Sequence, residues 1–201
     1  MFTACQPLIL ASASPRRQAF LQQLGLEFGV EPAVIDETPE PGESPEDFVH
    51  RMAETKARAI ARRHPRACVI GADTVVALEA TIFGKPRDRA DALAILKRLQ
   101  GRTHQVITGL AVLCDCQNMK EIVTETTLVT FDSFTDSILQ AYVDSGEPMD
   151  KAGAYGIQGK GTFLVRTIFG SYSNVVGLPG NALVRILLDR HLIHTISSPG
   201  L

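Results

Sequence analysis

The chain lacks an excess of either charge, a long apolar run, and any ordered set of cysteines. Its 20 Lys+Arg stand against 22 Asp+Glu, a formal net charge of −2, so the strong basic footprint of a nucleic-acid-binding surface is missing. No uninterrupted apolar segment approaches the roughly 18–20 residues that cross a membrane. Leu8-Ile9-Leu10-Ala11 is too short for the apolar region of a secretory signal, and no positive charge precedes it. The four cysteines, Cys5, Cys68, Cys114 and Cys116, have neither disulfide-framework nor zinc-site spacing; a reduced, cytoplasmic protein is the expectation. Several catalytic signatures are also absent. G-x-x-x-x-G-K-[ST], H-E-x-x-H and G-x-S-x-G do not occur, nor does G-x-G-x-x-G after a strand. P-loop, zincin, dinucleotide-fold and α/β-hydrolase chemistry are thereby disfavoured.

What is present is ordinary soluble composition, 45% hydrophobic and 21% charged over 201 residues, a length that suits one domain, 1–201, possessing two lobes at most. No linker, repeat or low-complexity stretch divides it. Leu8–Ser12 reads as a short buried strand, followed by a helix that Ser14-Pro15 starts and Gly25 stops. Glu27–Ile35 reads as a strand, and Ser44-Pro45-Glu46-Asp47 opens a helix reaching about His64. Ala67–Leu78 is an apolar, β-branched strand. Asp88 caps a helix of about Arg89–Gln100. Strands over Thr103–Cys114 and Ile122–Phe131 flank a polar turn, and Thr135 caps a helix to about Asp144. Strands are expected over Thr162–Ile168 and Tyr172–Val176, then a helix after Pro179. Strands interleaved with helices, plus two apparent hairpins, predict an α/β fold on a mixed sheet.

Two charges stand where charges are costly. On the helix after Ser44, Phe48, Val49, Met52, Ala53, Ala59 and Ile60 share a ~140° arc, and Lys56 falls in its middle. A lysine there either snorkels along apolar surface or meets an anion. Asp73 is the only charge inside the Ala67–Leu78 strand. A carboxylate so placed costs several kcal/mol unless it is paired, hydrogen-bonded or metal-bound. It could cap a neighbouring turn, or act as a general base or metal ligand at a central strand. Strand alternation sends Asp73 and Thr74 to opposite faces, unless Gly71 permits a bend.

Three further segments carry donors. Ser12-Ala13-Ser14-Pro15-Arg16-Arg17 joins a strand to a helix start and suits a phosphate, although capped helices beginning with arginine are common. Gly84-Lys85-Pro86 holds a lysine in extended chain. Gly153, Gly156, Gly159 and Gly161 surround Gln158, whose amide can read a base edge while the glycines bring backbone N–H groups close to a ligand. Glu37 is a candidate second carboxylate for a divalent cation, and equally an ordinary loop acid. Cys114 and Cys116, two apart on an expected strand, read as core or surface thiols. His104 reads as structural, and Leu183, Ile186, Leu187 and Leu188 on the last helix as core, with a share in a dimer contact.

These residues, as LILASASPRR, ETKARAIA, VIGADTVV, GKPRD, GRTHQVITG, DKAGAYGIQGKG and SYSNVVGLP, resemble the Maf-family nucleoside triphosphate pyrophosphatases, in order and over nearly the whole chain. The A-Y-G-I-Q-G segment is similar to the subgroup acting on dTTP and UTP. The resemblance implies an α/β fold with an elongated mixed sheet and a cleft between two lobes, as in the inosine triphosphate pyrophosphatases. It implies a cytoplasmic homodimer that binds neither nucleic acid nor membrane. It makes Asp73 the proton acceptor, and Arg16, Thr74 and Gln158 specificity residues, with Ser12 and Arg17 beside them in the same binding segment. Lys56, Lys85 and Glu37 would engage the triphosphate and its metal, held by Glu37 and Asp73, with Mg²⁺ the expected ion and Mn²⁺ a substitute. The alternatives are a non-hydrolysing nucleotide-binding regulator of cell division, or the same enzyme class acting on a modified or purine base.

Overall fold

A computed structural model describes residues 1–79 and 81–196. In chain order the elements are β1 (Phe2–Ala4), β2 (Leu8–Leu10), α1 (Pro15–Gln23), β3 (Gly29–Val30), α2 (Pro45–Ala61), β4 (Cys68–Leu78), β5 (Thr81–Phe83), α3 (Arg89–Leu99), β6 (Thr103–Cys114), β7 (Met119–Phe131), α4 (Asp136–Asp144), β8 (Val165–Phe169), α5 (Tyr172–Val176), α6 (Gly180–Asp189) and β9 (Ile193–Thr195). The main sheet runs β3-β2-β4-β6-β7-β8, with β5 on β4. Pairing is parallel from β2 to β3 and β4, and antiparallel at β4–β5 and β7–β8. The expected mixed α/β sheet is therefore present. β1 and β9 form a separate antiparallel pair.

The chain divides into two compact units, one of Met1–Asp73, Gly109–Thr124 and the segment from Gly177 on, the other of Thr74–Thr108 and Glu125–Val176. In the first, strand alternation sorts β4 into two cores. Ile70 and Ala72 join Leu10, Leu21, Leu110, Leu183 and Leu187. Val69 faces Ala53, Ala57 and Ile60 of α2. The second unit packs α3 and α4 through Leu96, Leu99, Val129, Phe131, Leu139 and Val143.

Helix α2 follows its sequence signals. Ser44 accepts the Asp47 N–H at 3.1 Å and Pro45 occupies the first turn, where its missing N–H costs nothing. Its apolar arc is buried, Lys56 included, except for half-buried Ala59 at the rim. Gly71 and Gly109 set how closely α2 approaches the sheet. A Cβ on Gly71 would lie 2.4 Å from the Ala53 carbonyl oxygen, and one on Gly109 2.1 Å from that of Val49. Gly71 thus serves close approach and not a bend, for β4 is continuous from Cys68 to Leu78.

Three expected strands differ. Glu27–Ile35 shrinks to Gly29–Val30, because Pro32 offers no N–H to a ladder and Val34 is 98% exposed. Residues 160–164 form a 3₁₀ turn, so the next strand begins only at Val165. Tyr172–Val176 is helix α5. Ser171 caps it by accepting the Asn174 N–H at 3.2 Å. The second apparent hairpin is accordingly absent, and β8 pairs with β7 instead.

Candidate active site

Because α2 lies tight on β4, Lys56 and Asp73 meet. The Lys56 Nζ donates to Asp73 Oδ1 at 2.5 Å and lies 2.9 Å from Glu37 Oε1. The Lys56 and Asp73 side chains are 11% and 13% exposed, that of Glu37 58%. Asp73 therefore caps no turn through this bond. It is one of two carboxylates gathered by a single buried ammonium, with the second open to solvent.

Beside it, Arg17 uses its planar fork on the protein itself. Nε donates to the Gly177 carbonyl at 2.7 Å, and one terminal nitrogen to the Ala72 carbonyl at 2.9 Å and Ser12 Oγ at 3.1 Å. Burial pulls the guanidinium below its ordinary range and the Asp73 carboxylate opposes that pull. The Ser12 hydroxyl also accepts the Ser14 N–H at 3.2 Å. Arg17 thus clamps the Ser12–Ser14 loop against the residue preceding Asp73. Ser14 stands at the N-cap of α1 but makes no side-chain cap bond. Arg16, half-buried, occupies the first turn of that helix.

In the second unit, Lys85 is exposed in the turn after β5. The Gly153 N–H donates to the Gly84 carbonyl at 3.1 Å, which joins the Lys85 turn to the glycine-rich segment. Gln158 is exposed. The Thr74 hydroxyl pairs with that of Thr108 at 3.0 Å.

The glycine amides do not behave as expected. Lys160 N–H and Gly161 N–H donate to the Glu147 carboxylate at 2.9 and 3.1 Å, and Gly156 N–H to the Tyr142 hydroxyl at 3.1 Å. These donors are consumed inside the protein, so they do not cradle a ligand. Burial pushes the Glu147 carboxyl up, but the amide bonds and the Tyr142 hydroxyl outweigh it and hold the group below the usual range. Neither Glu147 nor Tyr142 was conspicuous in the sequence. Glycine at 156, 159 and 161 was the only trace of their presence.

His104 is structural, as expected. It is buried, its Nε2 lies 3.0 Å from the Tyr155 hydroxyl, and burial lowers its pKa to about 4. Cys116 lies in a 3₁₀ turn after β6 and not on the strand, yet its Sγ approaches that of Cys114 to 3.2 Å. Both are free thiols. On α6, Leu183 and Leu187 are core and Leu188 is 38% exposed.

The family model for Maf-like proteins matches residues 7–190. The chain belongs to that family. This Maf-like protein is 54% identical to the dTTP/UTP pyrophosphatase of Desulfotalea psychrophila over 188 residues, 94% of this chain and 96% of that one. It is 52% identical to the dTTP/UTP pyrophosphatase of Nitratidesulfovibrio vulgaris over 194 residues, 96% and 92% of the two chains. The Myxococcus xanthus dTTP/UTP pyrophosphatase matches at 52% over 180 residues, 90% of each.

Among the described residues of this Maf-like protein, no group of three or more metal-ligating side chains assembles. The donor set at Lys56 is two carboxylates, which suits a hard divalent cation that takes its other ligands from water and phosphate. Among the described residues no helix is long and apolar enough to cross a membrane.

Proposed function

We propose that this protein hydrolyses dTTP and UTP, and modified pyrimidine triphosphates, to the monophosphate and pyrophosphate. The observation that carries the chemistry is the buried Lys56 ammonium with Asp73 and Glu37 upon it; the substrate class follows from the relatives' names. Water attacks the α-phosphorus and pyrophosphate leaves. Asp73 takes the water proton at its carboxylate, a role worth roughly 10²–10⁴ in rate for a positioned general base. Lys56, Lys85 and Arg16 balance charge on the phosphates. Arg17 and Ser12 hold the loop that carries Arg16. A divalent cation on Asp73 and Glu37, Mg²⁺ in this reading with Mn²⁺ as substitute, would neutralise phosphate charge and make a water more acidic. Gln158 reads the pyrimidine edge, aided by Thr74.

Residues 1–201 act as one domain in this reading, as a cytoplasmic homodimer, and size-exclusion chromatography with light scattering tests the dimer. The decisive assay is pyrophosphate release from UTP, dTTP, CTP and ATP with and without Mg²⁺ or Mn²⁺. Release confined to the thymine and uracil nucleotides supports the reading. Nucleotide binding without release would make the protein a regulator instead. Asp73→Asn should lose at least about 10²-fold in turnover; wild-type turnover in that variant removes Asp73 from the role of base.

A further inference from the structure

The segment that carries Gln158 is suspended from two residues that no motif singles out. Tyr142, buried on α4, accepts the Gly156 N–H and donates its hydroxyl to Glu147 Oε1 at 3.1 Å. The same Oε1 accepts the Gly161 N–H, and Oε2 accepts the Lys160 N–H. One continuous chain of hydrogen bonds therefore runs from residue 156 to residues 160 and 161, fastening the backbone on either side of Gln158. The glycines complete the fit. A Cβ on Gly161 would stand 2.5 Å from the Tyr142 hydroxyl oxygen, and one on Gly159, at φ +100°, 2.9 Å from Glu147 Oε2. The loop can settle against Glu147 and Tyr142 only because those positions lack side chains. Thr162 adds a further tie by donating from its hydroxyl to the Ile157 and Gly159 carbonyls, both at 2.7 Å. Gln158 itself projects into solvent, its side chain without a hydrogen-bond partner among the described residues.

We infer that Tyr142 and Glu147 are positioning residues for base selection, fixing where the Gln158 amide sits before a nucleotide arrives. The inference rests on the reading of Gln158 as the base-reading residue. An amide reads a pyrimidine edge only if its donor and acceptor are presented in register, and a mobile loop would pay that ordering cost at each binding event. Holding the loop in advance confers selectivity without touching the substrate.

The test compares Tyr142→Phe, Glu147→Gln, Gln158→Ala and the double variant Gln158→Ala/Tyr142→Phe. The readouts are kcat and KM for UTP and CTP, and hydrogen exchange of the peptide spanning 155–162. Each of the first two single variants should speed exchange in that peptide. Each should also lower the UTP-over-CTP preference roughly three- to tenfold, on the order of one hydrogen bond, through KM for UTP while kcat holds. Because the pair acts through Gln158, Tyr142→Phe should shift preference by less than about twofold in the Gln158→Ala background, the signature of coupled residues. A merely structural role would instead lower turnover on both bases alike and add fully to Gln158→Ala. Unchanged exchange in both single variants overturns the suspension. Faster exchange with intact preference, while Gln158→Ala loses it, overturns positioning and leaves base reading standing. Intact preference in Gln158→Ala overturns base reading and the positioning role together.

Discussion

Replacing Gly71 by alanine tests whether the close seat of α2 creates the Lys56–Asp73 pair and whether the proposed reaction needs it. The new Cβ would lie 2.4 Å from the Ala53 carbonyl oxygen and 2.8 Å from the Ala57 Cβ, where ordinary contact begins near 3.4 Å. The obstruction is backbone, so α2 must retreat by about 1 Å, an overpacking that costs roughly 1–3 kcal/mol. At about 2–4 °C per kcal/mol for a chain of this size, the melting temperature should fall by several degrees. Function should suffer more than stability does. Lys56 is one turn beyond Ala53 on the same face, and its 2.5 Å bond to Asp73 moves with the helix. A misplacement of about 1 Å at reacting groups costs on the order of 10² in rate. Pyrophosphate release from UTP, measured on protein shown by circular dichroism to be folded, gives kcat. Gly29→Ala is the control, because its Cβ would meet nothing nearer than 3.8 Å; it should leave both quantities unchanged. A Gly71→Ala protein that melts within about 1 °C of wild type and keeps kcat within about threefold refutes the reasoning.

Acid should weaken the fold through His104. Burial lowers its pKa from 6.5 to about 4, so between those values the unfolded chain binds the proton that the folded one refuses. Its contribution is complete above pH 6.5 and is lost as pH falls toward 4, on the order of 3 kcal/mol in all. Urea titrations across that window should show a shallower loss in His104→Phe. Arg17→Lys should cost about 2 kcal/mol or more in the same titrations and reduce turnover, since an ammonium cannot reproduce the fork to Gly177, Ala72 and Ser12. Lys85→Ala should lower kcat while changing stability by no more than about 0.5 kcal/mol, because the side chain is exposed. Lys56→Gln leaves Asp73 and Glu37 facing each other without their ammonium, so Mn²⁺ alone, without nucleotide, should raise its melting temperature more than that of wild type.

The Lys56–Asp73 pair was legible because each member violates a local pattern, a lysine in an apolar helical arc and an aspartate in an apolar strand. Their partnership was not, since it depends on how far one element stands from another. Gly71 shows why. A glycine within a strand signals either irregularity or a close neighbour, and only α2 decides between them. The segment after Gly170 failed for a related reason. Five residues are too few for periodicity to speak, and Asn174 spends its side chain on the Val106 carbonyl at 3.0 Å and Thr127 Oγ1 at 2.9 Å, far away in sequence. β1 and β9 pair across almost the entire chain, beyond the reach of any local window. Glu147 was hidden more deeply. A loop acid is ordinarily solvated, and the glycines that accommodate it read equally well as a ligand cradle.

The near-neutral total charge conceals an arrangement with a definite sign. Asp73 and Glu37 share one ammonium, so the three groups together carry −1. A divalent cation would turn that to +1 and add to the attraction that the neighbouring Arg16 and Arg17 guanidiniums offer a polyphosphate. In the proposed reaction Lys56 would do two opposed things. It would keep the carboxylates from drawing a cation too strongly on their own, and it would supply part of the positive charge once the cation is in place. Because Lys56 and Asp73 are shielded from water while Glu37 is open, the Lys56–Asp73 pair is screened less and the Lys56–Glu37 pair can rearrange. Glu37 is accordingly the member with room to leave the ammonium, and in the proposed reaction it would turn to the cation while Asp73, held on β4, would face the attacking water.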